Sequence, residues 1–331
     1  MPVTSADHLA RPVDLLVLGS ANIDAVARTP HLPVPGETVI GDSFCEYPGG
    51  KGLNQAVAAA RAGAQVQLRA HLGDDSAGRM LREVLRDEGI DDRFVVTDPV
   101  LPTGRAMIWV DQRAENSIVV IPGANHAHSP AAGLDGREFE SSLAGTRVVL
   151  AQLEVPLDAV STLMQKARHF GCVRILNPAP AAELTADLLG DCEIVIPNQG
   201  ELAALGGRQR LHGLGVRVVI ETRGSRGVHC SMADSDGRIY ADWIQPAFAV
   251  RAVDTTGAGD VFCGYFAAGM AREFRQGVEP SADPLAEATL RLAVREAAAA
   301  AAIAVTVEGA VPSIPSKVQV EQLLADSVSA E

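Results

Sequence analysis

The sequence predicts an α/β protein with a mainly parallel central sheet, helices on both faces of it, and a second, smaller β-layer to one side. Three observations carry this. Short, continuously apolar runs alternate with helical patterns along most of the 331 residues, as strands buried on both faces do. Two stretches break that alternation. A glycine-rich loop, "DTTGAGD" at 254–260, leads at once into an apolar run, "VFCGYFAAGM", with the character of a helix.

Taken in order, "DLLVLGSAN" is a buried strand and "NQAVAAARAGA" a helix ending at a glycine. "QVQLRAHLG" is a strand, and "SAGRMLREVLRDEG" is a helix with serine at its start and glycine after its end. Later strands are "RVVLAQLE", "VRILNPAP", "EIVIPN" and "VRVVIET", and the alanine-rich "AAAAAAIAV" is a buried helix. Residues 25–48 carry prolines and short alternating runs, and residues 104–121 set two strand-like runs around the polar turn "DQRAEN", a hairpin signature. These two stretches form one small β-layer projecting from the main sheet. It is either a lid over a cleft or an edge hairpin without function. The terminal "ADSVSAE" is expected to fray.

Composition narrows the function classes. The chain is 47% hydrophobic with a net charge of -13 and has no Lys/Arg cluster, which argues against nucleic acid and anionic membranes as partners. Its apolar runs fall short of a membrane span, and "MPVTSADHLARPVD" lacks the apolar centre of a signal peptide. The five cysteines (Cys45, Cys172, Cys192, Cys230 and Cys263) are scattered without C-x-x-C spacing. That pattern predicts neither disulfides nor zinc and fits a reducing cytoplasm.

Chemistry concentrates in five places. A glycine loop opening a helix presents unpaired backbone N–H groups and the positive end of the helix dipole, a site for an anion. An aspartate there is a poor phosphate ligand but a well-placed base. "GGKGLNQ" at 49–55 brings Lys51 and Asn54 to a second glycine cluster. A plain turn with a helix cap explains that cluster almost as well. It is not a Walker P-loop, because Gly52 follows the lysine, and no strand is expected to feed it directly. In "GSANID", Asn22 and Asp24 lie two apart just past a strand end and point to one side if extended. They grip adjacent hydroxyls or form an Asx turn. Glu154 ends another strand, and in "PNQGE" Asn198 and Glu201 are three apart, either a polar pair facing a metal-bound phosphate or a helix-capping pair.

In combination and order these segments resemble the PfkB carbohydrate kinase family, in its ribokinase-like branch. "GGKGLNQAVAAARAGA" is similar to the family's first signature and "DTTGAGD" matches its second. "PGETV", "NPAPA", "GSRGV" and "AAIAVTVEGAVPS" follow in register, so the resemblance runs from about Leu15 to Pro315. It implies a ribokinase-like three-layer α/β fold in one domain over 12–318, with a lid from 25–48 and 104–121. It also implies ATP-dependent phosphorylation of the 5-hydroxyl of D-ribose. By resemblance Asp260 is the base, and the backbone of Gly257, Ala258 and Gly259 is the anion hole. The sugar is held by Asn22, Asp24, Gly50, Lys51, Gly52, Asn54 and Glu154. ATP lies along Thr222, Arg223, Gly224, Ser225, Arg226 and Gly227, with Asn198 and Gly259 near its phosphates. Mg²⁺ has Asn198 and Glu201 in its outer shell. K⁺ as activator is held by Asp254, by carbonyls of Thr256, Ala304, Val307 and Gly309, and by the Ser313 hydroxyl. A homodimer through the lid is implied as well.

The chain departs from that branch in several places. The segment between "GELAALGG" and "VRVVIET" is about a dozen residues short. "RQGVEPSADP" is extra, an alanine of 297–302 replaces a histidine against adenine, and Val307 and Glu308 stand where basic residues are common. Two other readings compete. One is a nucleoside kinase, for which Trp109 is the obvious stacking platform. The other is a catalytically inactive sugar-binding protein.

Overall fold

In the computed structural model, residues 13–113, 115–127, 134, 136–275 and 285–328 are described. The chain starts with β1 (Leu15–Leu18), β2 (Asn22–Arg28), β3 (Ser43–Gly49), α1 (Lys51–Arg61), β4 (Val66–Gly73), α2 (Ser76–Asp87), β5 (Asp91–Asp98), β6 (Gly104–Val110) and β7 (Asn116–Ile121). It continues with α3 (Arg137–Gly145), β8 (Val148–Ala151), α4 (Leu157–His169), β9 (Val173–Leu176), α5 (Ala186–Gly190), β10 (Ile194–Val195), α6 (Gln199–Ala204), α7 (Arg208–Gly213) and β11 (Val218–Thr222). It finishes with β12 (Val228–Ala233), β13 (Ile239–Gln245), α8 (Ala258–Arg275), α9 (Glu287–Ala304), α10 (Ala310–Ser313) and α11 (Lys317–Val328).

Nine strands form the main sheet in the order β13-β12-β11-β10-β9-β8-β1-β4-β5. All neighbours are parallel except β11–β12 and β12–β13. Both faces are covered, as β1 makes plain: Leu15 and Val17 join one apolar cluster, Leu16 and Leu18 the other. Alternate side chains of one strand enter opposite cores, which is why the run is apolar at every position. α1, α8 and α9 pack on the first face and α3, α4 and α7 on the second. The alanine-rich run lies in α9, where Ala297 to Ala300 are buried.

The two irregular stretches form the second sheet, β3-β2-β6-β7. β6 and β7 pair as the expected antiparallel hairpin, and β2 joins β6 in parallel. The stretch "DLLVLGSAN" therefore divides, its start in the main sheet and its end in the lid. Two local expectations need correcting. The cap of α2 is Asp75, whose carboxylate accepts the Gly78 N–H at 2.8 Å, and not Ser76. A strand does feed the first glycine cluster directly, since β3 ends at Gly49 and α1 starts at Lys51. That strand is an antiparallel lid strand, so the arrangement is still unlike a βαβ dinucleotide site. The shortened segment holds only the six-residue α7. Most of "RQGVEPSADP" lies outside the described residues.

Candidate active site

Helix packing assembles the site. α1 and α8 cross closely because Gly264 of α8 lies against α1. A Cβ there would come within 2.4 Å of the Gln55 carbonyl oxygen and 2.6 Å of the Ala58 Cβ. The N-terminus of α1 is drawn onto the exit of β1 in the same way, since a Cβ on Gly52 would lie 2.5 Å from the Gly19 carbonyl carbon. Gly52 thus serves close packing. Gly50 turns β3 into α1 at φ 89°, a conformation that glycine adopts freely.

These approaches carry α1 side chains to Asp260, in the first turn of α8. One Asp260 oxygen accepts from the Asn54 amide at 3.1 Å and the other from the Gln55 amide at 2.9 Å. Asn54 Oδ1 is buried without a partner, an acceptor suited to a hydroxyl of a bound sugar. Gln55 in turn accepts from Gln152 at 2.5 Å and donates to Asn177 at 3.1 Å. Glu154, just past the end of β8, accepts from the Ser20 hydroxyl at 2.5 Å and from the Lys51 backbone N–H at 3.1 Å. The ammonium of Lys51 is held above its usual range by the negative charge of Asp260, against the opposing effect of burial, with Glu154 adding to the rise.

Asp24 stands on the lid's inner face. Its pKa is pushed up to about 7 by burial first, then by the charges of Glu154 and Asp260. Asn22, at the start of the same strand, accepts from Asn125 at 2.6 Å, so the Asx-turn alternative is not what occupies it. Asp24, Arg28, Tyr47, Asp254 and Thr256 line a cavity of about 290 Å³ between lid and body. Arg28 and Glu308 close its outer end with a half-exposed ion pair at 3.1 Å. Ile108 lines that cavity. Its strand neighbour Trp109 therefore faces the other side of the lid, which removes the stacking platform expected there; the ring on this wall is Tyr47.

The second cavity, about 220 Å³, is bounded by Lys51, Asn198, Glu201, Gly257, Gly259 and Asp260. Gly257 takes φ 74° as the loop turns into α8. Gly257 and Gly259 line the cavity, whereas the Ala258 N–H donates within the loop to the Thr255 carbonyl at 3.3 Å. Asn198 and Glu201 form a reciprocal capping box at the start of α6, and both still face this cavity. Burial raises the Glu201 pKa, opposed by the Asn198 N–H and by Lys51. The 222–227 loop follows β11, and Thr222 bridges to Asn198. Side chains in that loop are engaged elsewhere. Arg223 donates to Glu221 at 2.9 Å and to His229 at 2.7 Å, and Arg226 to Gln199.

Behind the glycine loop, Asp254 accepts the Thr256 N–H and the Gly309 N–H, each at 2.9 Å. Desolvation opposes ionisation there, but these two amides, with Arg28 nearby, hold the carboxyl below its usual range. Val305 accepts both the Val253 and Asp254 N–H groups, and Ser313 donates to the Ala310 carbonyl at 2.8 Å. All five cysteines are free, and only Cys45 is exposed. The Cys263 thiol, fully buried below Asp260, is pushed well above its usual range by desolvation and by that carboxylate.

Sequence reasoning does not single out Ser20, Gln55, Gln152 or Asn177. A signal exists for Gln55, which sits four residues after Lys51 and hence on the same helical face.

A cavity under the second sheet adjoins, at Thr255, a cavity bounded by a helix terminus and the Asp260 carboxylate, and comparison with known proteins points to a family. The model of the pfkB family of carbohydrate kinases matches residues 13–317. A ribokinase of Haemophilus influenzae is 37% identical over 322 residues, covering 94% of this chain and 98% of its own. The structure of a ribokinase from Thermotoga maritima superposes with a TM-score of 0.81 at 32% identity, covering 95% of this chain and 99% of that one. The ribokinase of Arabidopsis thaliana complexed with ribose and ATP superposes at 0.82 with 29% identity, over the same 95% and 99%. The chain belongs to the PfkB family of carbohydrate kinases.

Proposed function

We propose that the chain transfers the γ-phosphoryl group of ATP to the 5-hydroxyl of D-ribose. The observation that carries this is the Asp260 carboxylate, fixed by two amides at the wall of the cavity that the glycine loop bounds. Asp260 takes the hydroxyl proton as the sugar oxygen bonds to the γ-phosphorus. The bond from that phosphorus to the bridging oxygen breaks, and ADP leaves with the electron pair. Backbone N–H groups of Gly257 and Gly259 and the ammonium of Lys51 stabilise the charge that spreads over the transferring group. Asn22, Asp24, Asn54 and Glu154 orient the sugar, so most of the rate gain comes from position. ATP lies along 222–227 with Asn198 and Glu201 at its phosphates. That acidic, polar pair fits an outer-shell role for Mg²⁺, which supplies charge neutralisation on the phosphates.

Asp254, carbonyls of Thr256, Ala304, Val307 and Gly309, and the Ser313 hydroxyl form an all-oxygen donor set of the kind a hard monovalent cation such as K⁺ takes, and such an ion would supply a fixed positive charge behind the loop. We take 12–318 as one catalytic domain working as a homodimer through the lid, in a reducing cytoplasm where the free cysteines persist. Among the described residues no helix is long and apolar enough to cross a membrane.

ADP release across ribose, deoxyribose, fructose, adenosine and pseudouridine tests the assignment. Ribose should give the highest kcat/KM and yield ribose 5-phosphate. Asp260→Asn should lower kcat by about 10²–10⁴-fold while the sugar still binds. A near-normal kcat in that variant removes Asp260 from its role.

A further inference from the structure

Behind Asp260 runs a chain of buried amides that reaches the backbone of the main sheet. Asn177 Nδ2 donates to the Ile196 carbonyl at 2.9 Å. A carbonyl only accepts, so the nitrogen of Asn177 must face it and its oxygen must face Gln55. Gln55 Nε2 then lies between two acceptors, Asn177 Oδ1 at 3.1 Å and Asp260 Oδ1 at 2.9 Å. Its oxygen is left to accept from Gln152 at 2.5 Å. Every amide in the chain has one permitted orientation, and the Ile196 carbonyl sets it. That carbonyl belongs to the main sheet's frame, since the Ile196 N–H is itself held by Leu176 at 2.8 Å. The relay is buried: Gln55 and Gln152 are 0% exposed, and Asn177, 8% exposed, and Asp260, 6%, border the cavity of about 220 Å³.

The geometry points to Gln55 as a positioning residue for the transfer, held in one orientation by Asn177 and Gln152 so that a donor always meets Asp260. A flipped Gln55 would set its oxygen against a carboxylate oxygen, two acceptors at hydrogen-bond distance in a dry site. With the flip blocked, Asp260 is pinned at both oxygens, one by Asn54 and one by Gln55, and cannot rotate away from the hydroxyl it must deprotonate. This inference rests on Asp260 being the base.

The test compares Gln55→Met, Gln55→Glu and Gln152→Met with Asp260→Asn in the full-length protein, using the sugar that the wild type turns over best. Gln55→Met keeps the volume and loses the donor. Its kcat should fall by roughly 10–100-fold, the scale of a misplaced reacting group, with KM for sugar and for ATP within about threefold of wild type. Gln152→Met touches Asp260 only through Gln55. It should lower kcat by a smaller factor, about threefold to tenfold, and it keeps the question open to measurement if Gln55→Met does not fold. Gln55→Glu carries the distinctive signature. While the introduced carboxyl is protonated it donates to Asp260. Once ionised it repels that carboxylate, so activity should fall with rising pH over a range where wild-type activity does not. A Gln55→Glu profile parallel to wild type, or a wild-type kcat in a folded Gln55→Met or Gln152→Met, overturns the relay. If Asp260→Asn is itself near normal, the base assignment fails instead, and the two failures are told apart.

Discussion

Asp24 is the residue at which function and stability pull in opposite directions. Its pKa of about 7, raised by burial and by Glu154 and Asp260, means that the folded state holds its proton more tightly than the unfolded chain does. The contribution to stability is therefore full below the ordinary aspartate range and is lost as pH rises through about 7. Asp24→Asn should raise the melting stability of the sugar-free protein at pH 8 by on the order of 1–2 kcal/mol, since the group still meets solvent through the cavity. At pH 5 the gain should fall to less than half of that, and it vanishes only below the ordinary aspartate range. If Asp24 grips the sugar as proposed, the same variant should raise KM for ribose far more than KM for ATP, because one acceptor oxygen becomes an NH₂ donor. A denaturation series at the two pH values checks the first part. An equal gain at both would mean that Asp24 is not the titrating group. Asp24, Asp260 and Glu154 were legible in the sequence because carboxylates beside glycine turns and strand ends are rare enough to notice. Gln55 and Gln152 were not, since neutral amides carry no such mark. Gln55 acquires its role only from Gln152, Asn177 and Asp260, which lie 97, 122 and 205 residues away.

At the scale of elements, the start of α8 depends on the turn that precedes it. Asp254 ties that turn to the α9–α10 connection through the Thr256 and Gly309 amides. The proposed cation there would fix the N–H groups of Gly257 and Gly259 without touching substrate. Exchanging K⁺ for Na⁺, or for a bulky organic cation at constant ionic strength, should lower kcat more than it changes ribose affinity. Asp254→Ala should lower the rate in K⁺ and make it nearly indifferent to the cation. A wild-type rate that is the same in every salt leaves Asp254 as a loop cap alone. The elements themselves were readable where burial and spacing agree, as in β1, α1 and the β6–β7 hairpin. Strand direction was not. β12 runs antiparallel to both of its neighbours yet is nearly as buried as the parallel strands, and burial alone does not state which way a strand points. The α2 cap was misplaced by one residue because Asp75 and Ser76 are both good caps, and only the backbone geometry chooses between them.

At the scale of the whole molecule, the lid presents an unsatisfied surface. Ile118, Val119, Val120 and Ile121 of β7 are all exposed, and β7 is an edge of its sheet. An apolar open edge of that kind invites a covering partner, and the proposed homodimer would cover it with a second copy. Light scattering should give twice the 34.6 kDa of one chain. Val119→Glu together with Ile121→Glu should shift the mass to the monomer. A wild type that is monomeric at micromolar concentration ends the dimer assignment. The lid as a layer was legible from its prolines and broken alternation. The depth to which α1 and α8 interlock was not, because it depends on Gly264 meeting Ala58, a contact between distant segments that no local pattern announces.

The proposed sugar site is divided between two bodies. Asp24 rides on the lid, whereas Asp260, Lys51 and Glu154 belong to helices and strand ends below it. A kinase with a finished base and bound ATP is exposed to a thief, since water is smaller than any sugar and carries the same hydroxyl chemistry. The split arrangement answers that threat with timing. If the sugar is gripped from both sides, a water molecule, which cannot reach from one to the other, would be held too loosely over Asp260 to be phosphorylated often. Thrift with ATP thus belongs to the seam between lid and body more than to any single residue, and loosening that seam should turn the enzyme into a slow, idle ATPase before it ceases to be a kinase.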